Sequence, residues 1–277
     1  MQEATASTSG ILNPAAGQAH FALTRLPPAR DLAEFVERHW IVSWDLRGRP
    51  PFEQQLLPHP CVNLAFIGDH GAVHGIPRRR ASRTIQGRGW VLGTKFRPGG
   101  FAGFSAIPMP ELVDRTLSLE QVFGRAPGAA LASRVSRDEH PESRIAAVES
   151  FLRERLPVPD DGRRLTACIV RAMLSAAPRT RVEQLASDHG VSVRGLQRLF
   201  RRHVGVSPKW VLSRYRLHEA AERIGSGECG DLSALAYELG YADQSHFNRD
   251  FRALVGMSPA AYARACATGR RAAVASA

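Results

Sequence analysis

The sequence predicts an α+β chain of two domains: a β-rich N-terminal barrel or sandwich with flanking helices, then an all-α domain of two helix-turn-helix units joined by a long helix. Three observations carry this. The segment from Leu185 to Pro208 returns, altered, from Leu235 to Pro259. Short apolar stretches broken by Pro and Gly fill residues 21 to 125. The net charge of +11 is uneven: residues 1–162 hold 19 Lys+Arg against 17 Asp+Glu, net +2, and residues 163–277 hold 18 against 9, net +9. A field of that sign suits a polyanion, nucleic acid first, although an anionic membrane surface would attract the same charge. The 277 residues are enough for two cores of ordinary size.

Residues 1–20 are small and polar and are expected to be disordered. They lack a basic segment followed by an apolar run, and no stretch approaches 18 uncharged apolar residues, so a cytoplasmic chain without membrane association is expected. In the region 21–160, the stretches HWIVSWDL, QQLLP, CVNLAFIG, GAVHG and GWVLGTKF read as strands bounded by turn residues. Helical pieces are expected near Asp31 to Arg38 and Ser118 to Phe123. From Pro141 to Leu156, Ile145, Val148, Phe151 and Leu152 recur at spacings of three and four, one face of an amphipathic helix. That face fits a dimer interface or a coupling element, and burial against its own domain explains it equally well. PVPDDG, residues 157–162, reads as a linker.

Chemistry in the N-terminal half is sparse. His59, His70 and His74 invite a metal reading, yet no His-x-His occurs, and a turn around His70 and His74 is the plainer account. Cys61, Cys168, Cys229 and Cys266 form no CxxC pair and read as reduced, mostly buried thiols. Gly93, Pro98, Gly99 and Gly100 suggest a tight turn rather than a phosphate cradle, since no GxGxxG or GxxxxGK[ST] pattern is present. Arg78, Arg79, Arg80, Arg83 and Arg88 read as a basic loop, either solvated or touching DNA.

The C-terminal domain is expected over 163–268, with a frayed basic tail at 269–277. RRLTACIVRAMLSAA reads as a helix ending before Pro178. Within the repeat, Leu185-Ala186 maps onto Leu235-Ala236 and Gly190 onto Gly240 at a spacing of 50, whereas Phe200 maps onto Phe251 and Ser207-Pro208 onto Ser258-Pro259 at 51. The extra residue falls in the turn. Gly190 follows the leading helix where a residue without Cβ can turn left-handed, and Ser192 and Asp243 are placed to cap the second helices, about 192–204 and 243–255. At helical pitch Leu196, Leu199, Phe200 and His203 share one arc, as do Phe247, Phe251 and Leu254. The opposite arcs hold Arg194, Gln197, Arg198, Arg201 and Arg202 in one copy, and Ser245, Asn248, Arg249 and Arg252 in the other. Arg makes bidentate contacts to guanine, and Asn or Gln to adenine, in the major groove. Between the copies, Pro208 to Ile224 reads as a stiff helix capped by Ser207, with an apolar seam of Trp210, Val211, Leu217, Ala220, Ala221 and Ile224. About 34 Å between reading helices would let both enter successive major grooves.

Residues 163–268, above all AYELGYADQSHFNRDFRALVGMSPAAYAR from Ala236 to Arg264, resemble the DNA-binding domain of AraC/XylS-family bacterial transcriptional regulators. The resemblance implies a base-reading role for Arg194, Gln197, Arg198, Gln244, Ser245, His246, Asn248 and Arg249, and phosphate contacts for Ser192, Arg201, Lys209 and Arg252. Arg194 and Gly195 depart from the family's usual start of the first reading helix, and Gly loosens a helix there. The N-terminal stretch similarly resembles the cupin-like regions of some members, implying a sensing or dimerising domain. Expected partners are therefore double-stranded DNA, a small-molecule effector, RNA polymerase and a second copy of the chain; no cofactor, metal or catalysis is expected. The competing classes are an N-terminal enzyme tethered to a DNA-binding module, and a basic protein without sequence preference.

Overall fold

A computed structural model describes Gly17, residues 19–175 and residues 179–275. The expected disorder of 1–20 falls largely outside these residues. Eight strands form in the N-terminal region: β1 (Ala22–Leu26), β2 (Val36–Leu46), β3 (Phe52–Leu56), β4 (Asn63–Ile67), β5 (His70–His74), β6 (Ala81–Ile85), β7 (Gly87–Phe96) and β8 (Thr116–Ser118). They pair antiparallel in an open six-stranded sheet, β1-β2-β7-β4-β5-β8, with a separate ribbon of β3 and β6. The sheet does not close into a barrel, because β1 and β8 lie at opposite edges and β3 and β6 pair with each other.

Three local readings are corrected. The helix expected from Asp31 to Arg38 shrinks to a 3-10 turn, Arg30–Leu32, and Val36 to Arg38 are already strand. The ladder to β7, Val36 opposite Phe96 and Arg38 opposite Lys95, draws the backbone there into the sheet, overriding local propensity. The supposed basic loop is partly sheet, with Arg83 in β6 and Arg88 in β7. Arg78 is held by Asp114 at 2.6 Å, and the Arg80 guanidinium lies against Gly256. Gly93 sits in mid-strand rather than in a turn: a Cβ there would lie 2.0 Å from the Trp40 indole. Gly99 does take a left-handed turn conformation, φ 82°.

Four helices follow or flank the sheet: α1 (Met109–Leu112), α2 (Leu119–Phe123), α3 (Arg125–Arg137) and α4 (Pro141–Arg153). Ser118 and Gln121 form a reciprocal capping box at α2. The apolar face of α4 needs no partner from outside, since Val148, Phe151 and Leu152 are buried in the same core as Leu92 and Phe96, with Ile145 packed against it. This region therefore keeps its α4 stripe for itself.

One polar contact fixes α4 to the sheet. Glu149 accepts from the Ala29 backbone N–H at 2.7 Å, from buried His39 Nε2 at 3.2 Å and from Arg153 at 3.3 Å; His39 Nδ1 meets the Thr94 hydroxyl at 2.9 Å. Burial alone would raise the Glu149 carboxyl, but the hydrogen bonds from His39 and Ala29 outweigh it and hold the group below its ordinary value. A depressed acid stabilises the fold above its unfolded pKa and loses that contribution as pH falls through the folded value. Glu149→Ala should therefore cost about 3 kcal/mol at neutral pH, by leaving His39 buried without its partner. The gap from wild type in urea titrations should narrow below about pH 4; a gap constant from neutral to strongly acid pH would contradict the assignment.

The helical region comprises α5 (Asp161–Ser175), α6 (Val182–Asp188), α7 (Val193–His203), α8 (Pro208–Ser226), α9 (Leu232–Glu238), α10 (Gln244–Val255) and α11 (Pro259–Ala275). α5 begins inside the expected linker: Asp160 Oδ1 accepts the Arg163 N–H at 2.8 Å, the position of a helix cap. The expected end of this helix near Pro178 falls beyond Ser175, next to residues outside those described. In place of a frayed tail from 269, α11 continues to Ala275, in keeping with its run of alanines. Cys61 and Cys266 are buried, Cys229 is half-buried and Cys168 is exposed, so burial holds for two of the four thiols.

Candidate nucleic-acid interface

The two copies fold alike for the same local reasons. Gly190 and Gly240 follow α6 and α9 in left-handed conformation, φ 64° and 78°. The next residue returns the chain by the same bond in both, Val191 N–H to Ala186 O at 2.9 Å and Tyr241 N–H to Ala236 O at 3.0 Å. The second turn has one residue more, Ala242, before its cap. Ser192 Oγ then accepts from Gly195 N–H at 3.0 Å and Asp243 Oδ1 from His246 N–H at 2.8 Å, opening α7 and α10. The caps also satisfy first-turn N–H groups that have no partner within the helix.

The inward faces are apolar and packed. Leu185, Ala186, Leu196 and Phe200 share one core with Ile169, Val170 and Met173 of α5; Leu235, Ala236, Phe247, Phe251 and Leu254 share another with Tyr262 and Cys266 of α11. Outward, Arg194, Gln197, Arg198 and Arg201 are exposed on α7, and Gln244, Ser245, His246, Arg249 and Arg252 on α10, with Asn248 half-buried. Ser192 and Lys209 are exposed as well. Thus all twelve sequence-derived candidates reach solvent, in two sets on the faces opposite the two cores.

The sets differ in how their side chains are held. Among the described residues Arg194, Gln197 and Arg198 make no side-chain hydrogen bond, whereas on α10 the Ser233 hydroxyl donates to Gln244 Oε1 at 3.0 Å. His246 Nε2 lies 3.3 Å from Asp250 Oδ2, with its ring edge-on to Tyr241 at 5.3 Å.

Helix α8 joins the units, and 19 residues rise roughly 28 Å at helical pitch. Its apolar seam packs as expected, with Leu212 and His218 buried beside it. Sequence reasoning missed what that seam meets. Leu57, from the loop after β3, enters the core of the second unit, and His218 Nε2 donates to Pro58 O at 2.9 Å. The His218 ring stands edge-on to His59 at 4.1 Å between centroids. Burial pulls His59 well below its usual value and His218 down to about 4, so both rings are neutral at physiological pH. On the first unit, Val206 and Trp210 pack into both the N-terminal core and that of α7. Asp160 reaches Arg202 at 3.2 Å and His203 at 3.8 Å, and Arg163 pairs with Glu34 at 2.8 Å. The Asp160-x-x-Arg163 cap was a legible signal; nothing local marks Leu57 or His218.

Between the regions lies a cleft of about 860 Å³, walled by Glu37, His59 and Lys95 on one side and by Arg171, Leu212 and Tyr215 on the other. Cys61 also lines it, but burial pushes that thiol up to about 12, far from a thiolate at neutral pH. Among the described residues no group of three His, Cys, Asp or Glu is arranged to hold a metal ion, and His70 instead sits beside Asp69 at the exposed β4–β5 turn. No helix of the described residues is long and apolar enough to cross a membrane.

Comparison with known proteins places two matches on this chain. Residues 185–265 match a helix-turn-helix domain, and residues 24–118 match a domain of unknown function (DUF6597). An uncharacterised HTH-type transcriptional regulator of Haemophilus influenzae is 30% identical over 100 residues, 36% of this chain and 33% of that protein. The HTH-type transcriptional activator RhaS of Pectobacterium atrosepticum is 31% identical over 75 residues, 27% of this chain and 26% of that protein. The chain thus covers a third or less of the length of these relatives. A crystal structure of a transcriptional regulator with an AraC-type DNA-binding domain from Chromobacterium violaceum aligns with 39% of this chain and 96% of its own, at 20% identity and a TM-score of 0.36.

Proposed function

We propose that this chain is a sequence-specific DNA-binding transcription regulator of the AraC/XylS type, its match to a helix-turn-helix domain over residues 185–265 supporting two reading helices, α7 and α10, that enter successive major grooves. The observation that carries this reading is the pair of exposed polar faces, Arg194, Gln197 and Arg198 on one helix and Gln244, Ser245, His246, Asn248 and Arg249 on the other, set on equivalent packed cores. Arg198 and Arg249 are equivalent across the repeat, as are Gln197 and Asn248, and these types read guanine and adenine edges. Ser192, Arg201, Lys209 and Arg252 contact phosphates and set register without reading sequence. The protein acts in the cytoplasm, with activation the favoured outcome because the similar RhaS is an activator.

The N-terminal region controls the reading heads, through a small-molecule effector or through pairing with a second copy. An effector works only by unequal affinity for two arrangements of the chain, and the cleft suits it because both regions supply walls. Compounds that bind the full chain there should change its affinity for DNA; tight cleft binders without any effect on DNA affinity would remove the cleft from the scheme.

The test is affinity for a selected duplex and for random duplexes across a salt series. Binding should weaken steeply with salt, and Arg201→Ala and Lys209→Ala should each reduce the log–log slope by about 1 while leaving base preference unchanged. Equal affinity for selected and random DNA at fixed salt would leave only a basic protein without sequence preference.

A further inference from the structure

The two reading heads are not equivalent in how their side chains are presented. On the second head, the Ser233 hydroxyl donates to Gln244 Oε1 at 3.0 Å, so the amide oxygen is engaged and the Nε2 amine carries no partner among the described residues. Two positions along α10, His246 Nε2 lies 3.3 Å from the Asp250 carboxylate while the Tyr241 ring stands edge-on to the imidazole. Gln244 thus presents its amine as the free donor, and the His246 ring is held between Asp250 and Tyr241.

The first head has no means of making either contact. By the repeat alignment, Glu183 stands where the second copy has Ser233, and Val193, Gly195 and Leu199 stand where it has Gln244, His246 and Asp250. Four positions differ together, and they are the four that build the two contacts.

Building on the reading of α10 as a base-reading helix, we infer that Ser233 and Asp250 are positioning residues that fix which hydrogen-bonding groups the second head offers to DNA, making it the stricter of the two readers. A donor at Gln244 selects an acceptor edge, purine N7, guanine O6 or thymine O4, and a ring held in one orientation at His246 confines its contact to one neighbouring base pair. Neither positioning residue touches a base. Freeing Gln244 lets its amide rotate and offer oxygen or amine alike, and freeing His246 lets its ring leave the orientation that Asp250 and Tyr241 hold. Both changes relax discrimination without removing a contact to phosphate.

The test is selection of bound duplexes from a random library by the full chain, wild type beside Ser233→Ala, Ser233→Thr and Asp250→Ala, with affinity for random duplex and thermal unfolding measured in parallel. Ser233→Ala should lower the preference at one base pair of the second half-site about tenfold, with random-duplex affinity and unfolding temperature unchanged, and Ser233→Thr should restore the preference. Asp250→Ala should relax a neighbouring base pair in the same half-site and leave the first half-site intact. Variants that select the wild-type motif with wild-type stringency would overturn the inference while leaving the base-reading role of α10 standing. A wild-type chain that enriches no motif would remove both.

Discussion

Phe251→Ala is expected to lower the unfolding free energy of the helical region by about 3–5 kcal/mol and to disable the second reading head. Phe251 is fully buried, with ring neighbours Phe247 at 5.6 Å and Tyr262 at 5.8 Å, so its removal opens a cavity between α10 and α11. The same ring joins α10 to the core that includes Leu217, Ala221 and Ile224 of α8 and Leu57 of the N-terminal region, so loss of packing there also loosens the connection between heads. Denaturant titration of the helical transition measures the effect, and Phe251→Leu should recover more than half of it because a large apolar side chain refills most of the space. A loss below about 1 kcal/mol in the alanine variant would mean that the packed core does not support α10.

The second large effect concerns recognition rather than folding. Arg198→Ala and Arg249→Ala should each cost about 1–3 kcal/mol on a selected duplex, and far less on a random one. Both guanidinium groups are exposed and carry no side-chain partner among the described residues, so their removal leaves the packed cores untouched. Since they lie on separate helices, their costs should add in the double variant, which a binding isotherm on one duplex measures directly. A double variant no weaker than either single one would place both residues on the same contact, against two independent heads.

The helical half was legible because its signals are local and periodic. Caps at Ser192, Ser207 and Asp243, left-handed glycines at 190 and 240, and the phases of Leu196, Phe200, Phe247 and Phe251 each follow from a few neighbouring residues. The N-terminal half was less so, because its order rests on pairings far apart in the chain. The ribbon of β3 with β6 joins Phe52 to Ile85, and Gly93 lies in a strand because it pairs with Trp40 and Ala65, with the Trp40 indole leaving no room for a Cβ there. Neither leaves a pattern in a short window. The same holds between the regions: Leu57 enters the second head's core and Met109 O abuts Gly205 only because the fold brings them there. Polar faces show in helical phase, as does the i,i+4 pair of His246 and Asp250, but the hydrogen bond that orients Gln244 joins two helices across the Ala242 insertion, which phase alone does not give.

Whether two heads read two half-sites is decided by selection of bound duplexes from a random library, wild type against Arg249→Ala. Wild type should enrich a motif of two unlike half-sites about one helical turn apart, roughly 10 base pairs, with Arg249→Ala erasing a preference in one half-site and sparing the other. A motif with a single half-site, or an Arg249→Ala selection identical to wild type, would contradict reading by two heads.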